Sequence, residues 1–136
     1  MPPTPIADLA QLLADMAPEL RPGTWAWCAL PPETPIDDLD AVATMRETEG
    51  LAVVVAETVA RERGWPVAFR SAWITLRVHS DLAAVGLTAA FARALADAGI
   101  ACNVVAGVHH DHLFVPVDRA ADTLDALRAL QLRLRS

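Results

Sequence analysis

Four consecutive residues, His109-His110-Asp111-His112, carry the densest potential chemistry in this chain of 136 residues. Alternation along an extended segment sends His110 and His112 to one side and His109 and Asp111 to the other. Two imidazoles spaced in this way suit a transition metal, but such a site needs three or four ligands, and His79 is the only other histidine. The plainer reading is a hairpin tip with solvated histidines, with no metal and no cofactor. His79-Ser80-Asp81 has the residue types of a hydrolase triad. Neighbours in an extended segment point apart, however, and a triad is assembled from distant segments. No G-x-S-x-G elbow accompanies it. The chain therefore reads as non-catalytic.

Ser80 to Thr88 offers a different kind of chemistry. It leads into a helix, and a helix N-terminus presents free N–H groups and a partial positive charge that attract carboxylates and phosphates. Gly86 in the first turn lets a ligand approach the backbone. The alternative is that Ser80 or Asp81 caps the helix and Gly86 packs against a strand. Asn103, the one polar side chain in an otherwise apolar strand, requires a partner if buried, either a ligand or a backbone group.

The elements that must position these residues are legible. Thr4 and Pro5 open a helix in which Ile6, Leu9, Leu13 and Met16 recur at helical spacing, ending near Pro18. Thr24 to Leu30 is apolar on both alternating faces, a strand covered on both sides. Pro31, Pro32 and Pro35 make a rigid turn. Residues 42–47 and 51–57 read as strands joined by Thr48-Glu49-Gly50, followed by a short helix that stops at Gly64. Ser71 to His79 alternates, with Ala72, Ile74, Leu76 and Val78 on one face and Trp73, Thr75, Arg77 and His79 on a more polar one. A helix with Leu87, Phe91, Leu95 and Ala98 in one stripe ends at Gly99. Strands then span Ile100 to Val108 and Leu113 to Val117, with Gly107 to His112 around the hairpin between them. Asp118 caps a last helix carrying Leu124, Leu127, Leu130 and Leu134.

The second half is thus strand–helix–strand–strand–helix. It is a ferredoxin-like βαββαβ unit lacking its final strand, which a strand within residues 24–57 could supply. The first half reads as a reduced copy of the same unit. The fold class is α+β, with antiparallel sheets, helices on one face, and two tandem halves, residues 1–66 and 67–136, in one compact whole.

Composition narrows the function. Hydrophobic residues make up 54% of the chain, ample for a core. The net charge is −6 and the 11 basic residues are scattered, which argues against nucleic acid. Cys28 and Cys102 lie far apart in apolar runs and form no CxxC pair, so neither a disulfide framework nor structural zinc is expected. The N-terminus lacks the pattern of a signal peptide, and no apolar run is long enough for a membrane helix. A cytoplasmic location is expected.

Ala72–Thr88, Ala98–Gly107 and His110–Pro116 together resemble the ACT-domain family. More narrowly they resemble small stand-alone bacterial ACT proteins related to the ACT units of the arginine sensor CASTOR. The resemblance spans about residues 24–130 and implies ferredoxin-like units that pair and bind amino acids at their interfaces. It places a ligand against the loop Ser80, Asp81, Val85, Gly86 and Leu87, with Gly86 at the family's glycine position. It also places Asn103 of a second strand there, beside the backbone of Ala106, Gly107 and Val108. An Asp-His-x-x-Val-Pro element falls on Asp111, His112, Val115 and Pro116, making Asp111 the first-choice side-chain contact. The arginine sensor has an acid two positions before the loop glycine. Here that position is Ala84, which weakens the case for a guanidinium ligand and leaves a neutral amino acid or similar metabolite as suitable.

Three functions remain open from sequence. The first is a regulatory homo-oligomer, a homodimer at its simplest, binding an amino acid. The second is a ligand-free dimerisation module. The third is a metal protein built on the His109–His112 hairpin.

Overall fold

The computed structural model describes residues 8–78, 82, 83 and 85–135. Asp8 caps helix α1 (Leu9–Asp15), accepting the N–H of Gln11 at 2.9 Å. Thr4 and Pro5, expected to open this helix, lie outside the described residues. The helix also ends earlier than its apolar period suggests, because Pro18–Leu20 forms a short strand, β1. Strands β2 (Trp25–Leu30), β3 (Ala43–Arg46) and β4 (Leu51–Ala56) follow, then helix α2 (Glu57–Arg63) and the long strand β5 (Phe69–Leu76). Helix α3 (Leu87–Asp97), strands β6 (Asn103–Ala106) and β7 (Asp111–Pro116), a 3-10 turn (Val117–Arg119) and helix α4 (Ala120–Arg135) complete the chain.

All strands join one antiparallel sheet in the order β3-β4-β2-β5-β7-β6, with β1 paired to β5 beside β2. Two βαββαβ units are nested in that order. The first is β2, a loop over residues 31–42 in place of a helix, β3, β4, α2 and the start of β5. The second is β5, α3, β6, β7, α4 and β1. The strand closing the second unit therefore comes from before Thr24, not from residues 24–57 as the sequence suggested. Three residues bounded by prolines and a glycine carry too little period to announce a strand.

β1 and β2 share one edge of β5 but not one register. Leu20 pairs with Ile74 and Trp25 with Ser71, so residues 21–24 stand opposite residues 72 and 73 alone. Gly23 takes the left-handed backbone this bulge needs, at φ +94°. The Arg21 N–H bonds the Trp73 carbonyl at 2.8 Å within it.

The helices cover one face. Under α1, α3 and α4 lie Ala72, Ile74, Leu76, Leu113 and Val115, packed against Leu12, Leu13, Leu87, Phe91, Leu95 and Leu127. Under α2 and the 31–42 loop lie Ala26, Cys28, Leu30, Val53 and Val55, with Leu39 reaching in from the loop. Gln131 of α4 bonds the carbonyls of Leu13, Ala14 and Met16, satisfying the open end of α1. Arg119 does the same for α3, donating to the carbonyls of Ala98 and Gly99 at 3.2 and 3.4 Å.

The helix-free face is not the polar surface that alternation in β5 suggested, since Trp73 and Thr75 are buried there too. Aromatic rings line it and pack against one another. Trp25 meets Trp73 edge-on at 4.8 Å, Trp27 meets Phe114 at 5.5 Å, and Trp73 stacks on Phe114 at 5.6 Å. His112 belongs to this layer, so it is not a solvated tip residue. Its Nδ1 lies 3.1 Å from the Trp73 Nε1 and 3.1 Å from the Thr75 Oγ1. An indole N–H only donates, so Nδ1 is an acceptor and the imidazole is neutral, with its proton on Nε2. Burial, then the nearby His110 and Arg21, hold the His112 pKa below its ordinary value of 6.5.

Two predictions follow from this architecture. Residues 67–136 alone, lacking β1 and α1, will not reach a cooperative fold, and adding a peptide of residues 8–21 in trans will restore one. Circular dichroism melts of the fragment with and without peptide test this, and a cooperative transition without peptide contradicts it. The second concerns His112. Its folded pKa is depressed, so its neutral form contributes stability that is complete above 6.5 and is lost as pH falls through the lower folded value. Denaturant midpoints should therefore fall between pH 7 and pH 5, and His112→Gln should flatten that slope. An unchanged slope in the variant contradicts the assignment.

Candidate functional site

Asp111 opens β7, and its neighbours fix where its carboxylate sits. It pairs with Leu76 of β5 on one side and Ala106 of β6 on the other. It alternates with His112, and so lies on the helix side with Leu113 and Val115, only 7% exposed. Its cross-strand partner Leu76 is the last residue of β5, where the connection to α3 leaves the sheet. The carboxylate and that connection therefore share one end and one face of the sheet. The sequence placed Asp111 and His112 in the hairpin loop. The Gly107 N–H to His110 carbonyl bond, 2.9 Å, closes a tighter turn and leaves both residues in the strand. The separation of Asp111 from His112 on opposite faces agrees with alternation.

The hairpin also touches the connection directly. His110 Nδ1 lies 3.4 Å from the Val78 carbonyl, at the start of the segment leading to α3. Of the loop residues singled out from sequence, His79, Ser80, Asp81 and Ala84 lie outside the described residues. Val85 is open to solvent, and Leu87 buries its side chain in the core, leaving its backbone at the helix start. Val108 is exposed at the hairpin tip, and Ala106 and Gly107 lie next to Asp111 along β6 and the turn.

Gly86 serves the fold more than it serves an open pocket. It is the N-cap of α3, with φ +109°, and as a glycine it brings no capping side chain of its own. A Cβ there would fall 2.9 Å from a methyl of Leu9 in α1. The glycine thus lets the chain turn left-handed and lets α1 close over the α3 entry. The sequence reading, in which Gly86 packs against a strand or leaves room for a ligand, missed α1 as the neighbour.

Asn103 does not join this group within one chain. It pairs with Phe114, three residues along β6 from Ala106, and it is exposed on the opposite side of the sheet from Asp111. The expectation of a buried amide is corrected: β6 is an edge strand and nothing covers this end of it among the described residues. The strand itself is shorter than expected, since residues 100–102 lie outside it.

Among the described residues, no three His, Cys, Asp or Glu side chains gather in a metal-holding set. Both thiols are free, and burial raises the pKa of each, that of Cys102 to about 11, so neither is a reactive thiolate. No helix among the described residues is long and apolar enough to cross a membrane. What the geometry brings to one end of the sheet is a buried carboxylate, that of Asp111, and the Val78 carbonyl at the start of the segment leading to α3, bonded by His110 of the same hairpin.

Comparison with known proteins agrees with the nested topology. One family model described as ACT domain matches residues 4–72, and a second, also an ACT domain, matches residues 69–129. No protein of curated function matches the chain. Among solved structures, a protein of unknown function from Vibrio cholerae, described as a possible transport protein, is 41% identical over 90% of this chain and 95% of its own, with a TM-score of 0.81. A protein from Agrobacterium tumefaciens shares the fold at 18% identity and TM-score 0.68, covering 84% of this chain and 87% of that one. The regulatory subunit of aspartate kinase from Thermus flavus does so at 13% identity and TM-score 0.55, covering 85% and 96%. The two matches overlap at residues 69–72, in the strand that both units share, and the chain belongs to the ACT-domain family as two ACT units in tandem.

Proposed function

We propose that this protein is a non-catalytic regulatory module of the cytoplasm that binds an amino acid or a similar zwitterionic metabolite. ACT domains are regulatory ligand-binding units, and one fold relative is the regulatory subunit of an aspartate kinase. The observation that carries the reading is Asp111. Its carboxylate lies on the helix side of the sheet, 7% exposed, at the end where the connection to α3 leaves β5. An ammonium group carries the charge that complements it, and the start of α3 offers N–H groups to the carboxylate of the same ligand. The two ends of a zwitterion thereby meet opposite charges. In this reading Val85, Gly86 and Leu87 face the ligand from the loop side, where the resemblance also puts Ser80 and Asp81. Ala106, Gly107, Val108 and Asp111 face it from the hairpin, with Asn103 contributed by a facing copy; His112, on the opposite face, takes no part.

We further propose a homo-oligomer, a dimer at its simplest. The edge strands β3 and β6 each have one unpaired side in the sheet order. The helix-free face carries an apolar hollow of about 110 Å³ lined by Trp27, Ala43, Met45, Val54 and Val105. The indole N–H groups of Trp25 and Trp27 are buried on that face without an acceptor among the described residues.

A thermal-shift panel of amino acids should yield at least one stabilising ligand, worth about 2.7 kcal/mol at a hundredfold excess over its Kd. Asp111→Asn should weaken that ligand roughly ten- to hundredfold by calorimetric titration, the range for a hydrogen bond to a charged group. Unaltered affinity in that variant places the site elsewhere. Gly86→Ala should cost about 1–3 kcal/mol of stability by denaturant melt, from its left-handed backbone and the Leu9 contact. A stability unchanged from wild type contradicts that account. Sedimentation should show a self-associated species at micromolar concentration, and a monomer throughout contradicts the assembly.

A further inference from the structure

The helix-free face carries a second polar constellation, remote from the Asp111 side and centred on Arg21 in the β1–β2 bulge. The Arg21 guanidinium carbon sits 4.2 Å from the centre of the Trp73 ring. Among the described residues its one side-chain hydrogen bond is from Nη1 to the Thr75 hydroxyl, at 3.4 Å. No carboxylate among the described residues pairs with it, although the chain as a whole is acidic. A guanidinium has five N–H donors in a planar fork, so most of this one's capacity is uncommitted.

Its surroundings favour an anion. Thr75 also contacts His112 Nδ1 at 3.1 Å, which leaves the His112 Nε2–H as a donor that meets no acceptor among the described residues. A side chain at Gly107 would come within 3.3 Å of Nε2, so the glycine leaves that edge of the imidazole open. The one carboxylate on this side of β1, Glu19 opposite Thr75, is held by Arg77 at 3.3 Å. Arg21 is thus half-buried, oriented by an aromatic ring and a hydroxyl, and without a counter-ion among the described residues.

We infer that Arg21, seated on Trp73 and flanked by Thr75 and His112, binds the carboxylate of a small organic acid. A carboxylate accepts two parallel N–H bonds from the guanidinium fork, which a lysine cannot reproduce. The adjoining Trp25 ring, only partly buried, offers apolar surface to the rest of the ligand. This site is independent of the amino-acid reading above, because it lies on the other face and shares no side chain with it.

The test is a nuclear magnetic resonance titration of the intact protein with acetate, succinate and benzoate, and separately with inorganic phosphate, at constant ionic strength against chloride. The carboxylates should shift the Arg21 Nε–H and Trp73 Nε1–H resonances together and saturably. Arg21→Lys should weaken this at least tenfold and Arg21→Met abolish it, while Arg128→Met on α4, a surface charge of equal sign, leaves it unchanged. Because the wild-type shifts locate the site by themselves, the result stands even if a variant is destabilised. No saturable shift at these two groups, a response to phosphate alone, or full binding by Arg21→Met overturns the assignment.

Discussion

Hydrogen bonding along both edges of β5 is the constraint on which the rest of the structure depends. One edge is taken by β7 from Ser71 to Leu76, and the other by β2 and then β1. A strand paired on both sides and buried from Ser71 to Leu76 cannot slip by one residue without turning Ile74 and Leu76 out of the core and driving Trp73 and Thr75 into it. Two ACT units of reduced size are therefore locked into one sheet. The bulge at residues 21–24 is the adjustment that lets one edge serve two registers. It also sets Arg21 over Trp73.

From that register the two faces take different tasks. The helix side is dry and aliphatic except where Asp111 enters at the end of the sheet, next to the segment that leads into α3. Helix α1 is laid over the start of α3, with Leu9 against Gly86, so the entry to that helix is shaped by a segment from the first residues of the chain. The other side is aromatic, and its polar groups, Thr75, His112 and Arg21, are joined in one chain of contacts. The neutral state of His112 follows from the Trp73 donor and makes that layer sensitive to acid.

The sequence carried much of this. The 51–56 strand, the Gly64 stop, the Leu87-Phe91-Leu95 stripe and the alternation placing Asp111 opposite His112 were all legible, because each rests on a strong local period or a glycine cap. Three features were not. β1 is three residues long and pairs more than fifty positions away, so no local pattern marks it. The aromatic layer hid because Trp25, Trp27, Trp73 and Phe114 are scattered over three strands and meet only once the register is known. The bulge put Arg21 beside Thr75, and nothing near Arg21 in sequence announces that neighbour. Gly86 stood out as a glycine at a helix start, but its reason, the Leu9 methyl, comes from a helix some seventy residues earlier. For the candidate site, the family pattern drew in Asp111, the α3 entry and Asn103 alike, and Asn103 lies on the other face of the sheet from Asp111.

Amide hydrogen exchange of the intact protein, with and without each amino acid at saturating concentration, tests the ligand-binding account most directly, because it needs no variant and reports where protection arises. The account predicts that at least one amino acid slows exchange at two places at once, residues 85–90 at the start of α3 and residues 106–112 of the hairpin, with β3 and α2 unaffected. Exchange that is unchanged at both segments for every amino acid, or protection confined to the sheet edges, would contradict it.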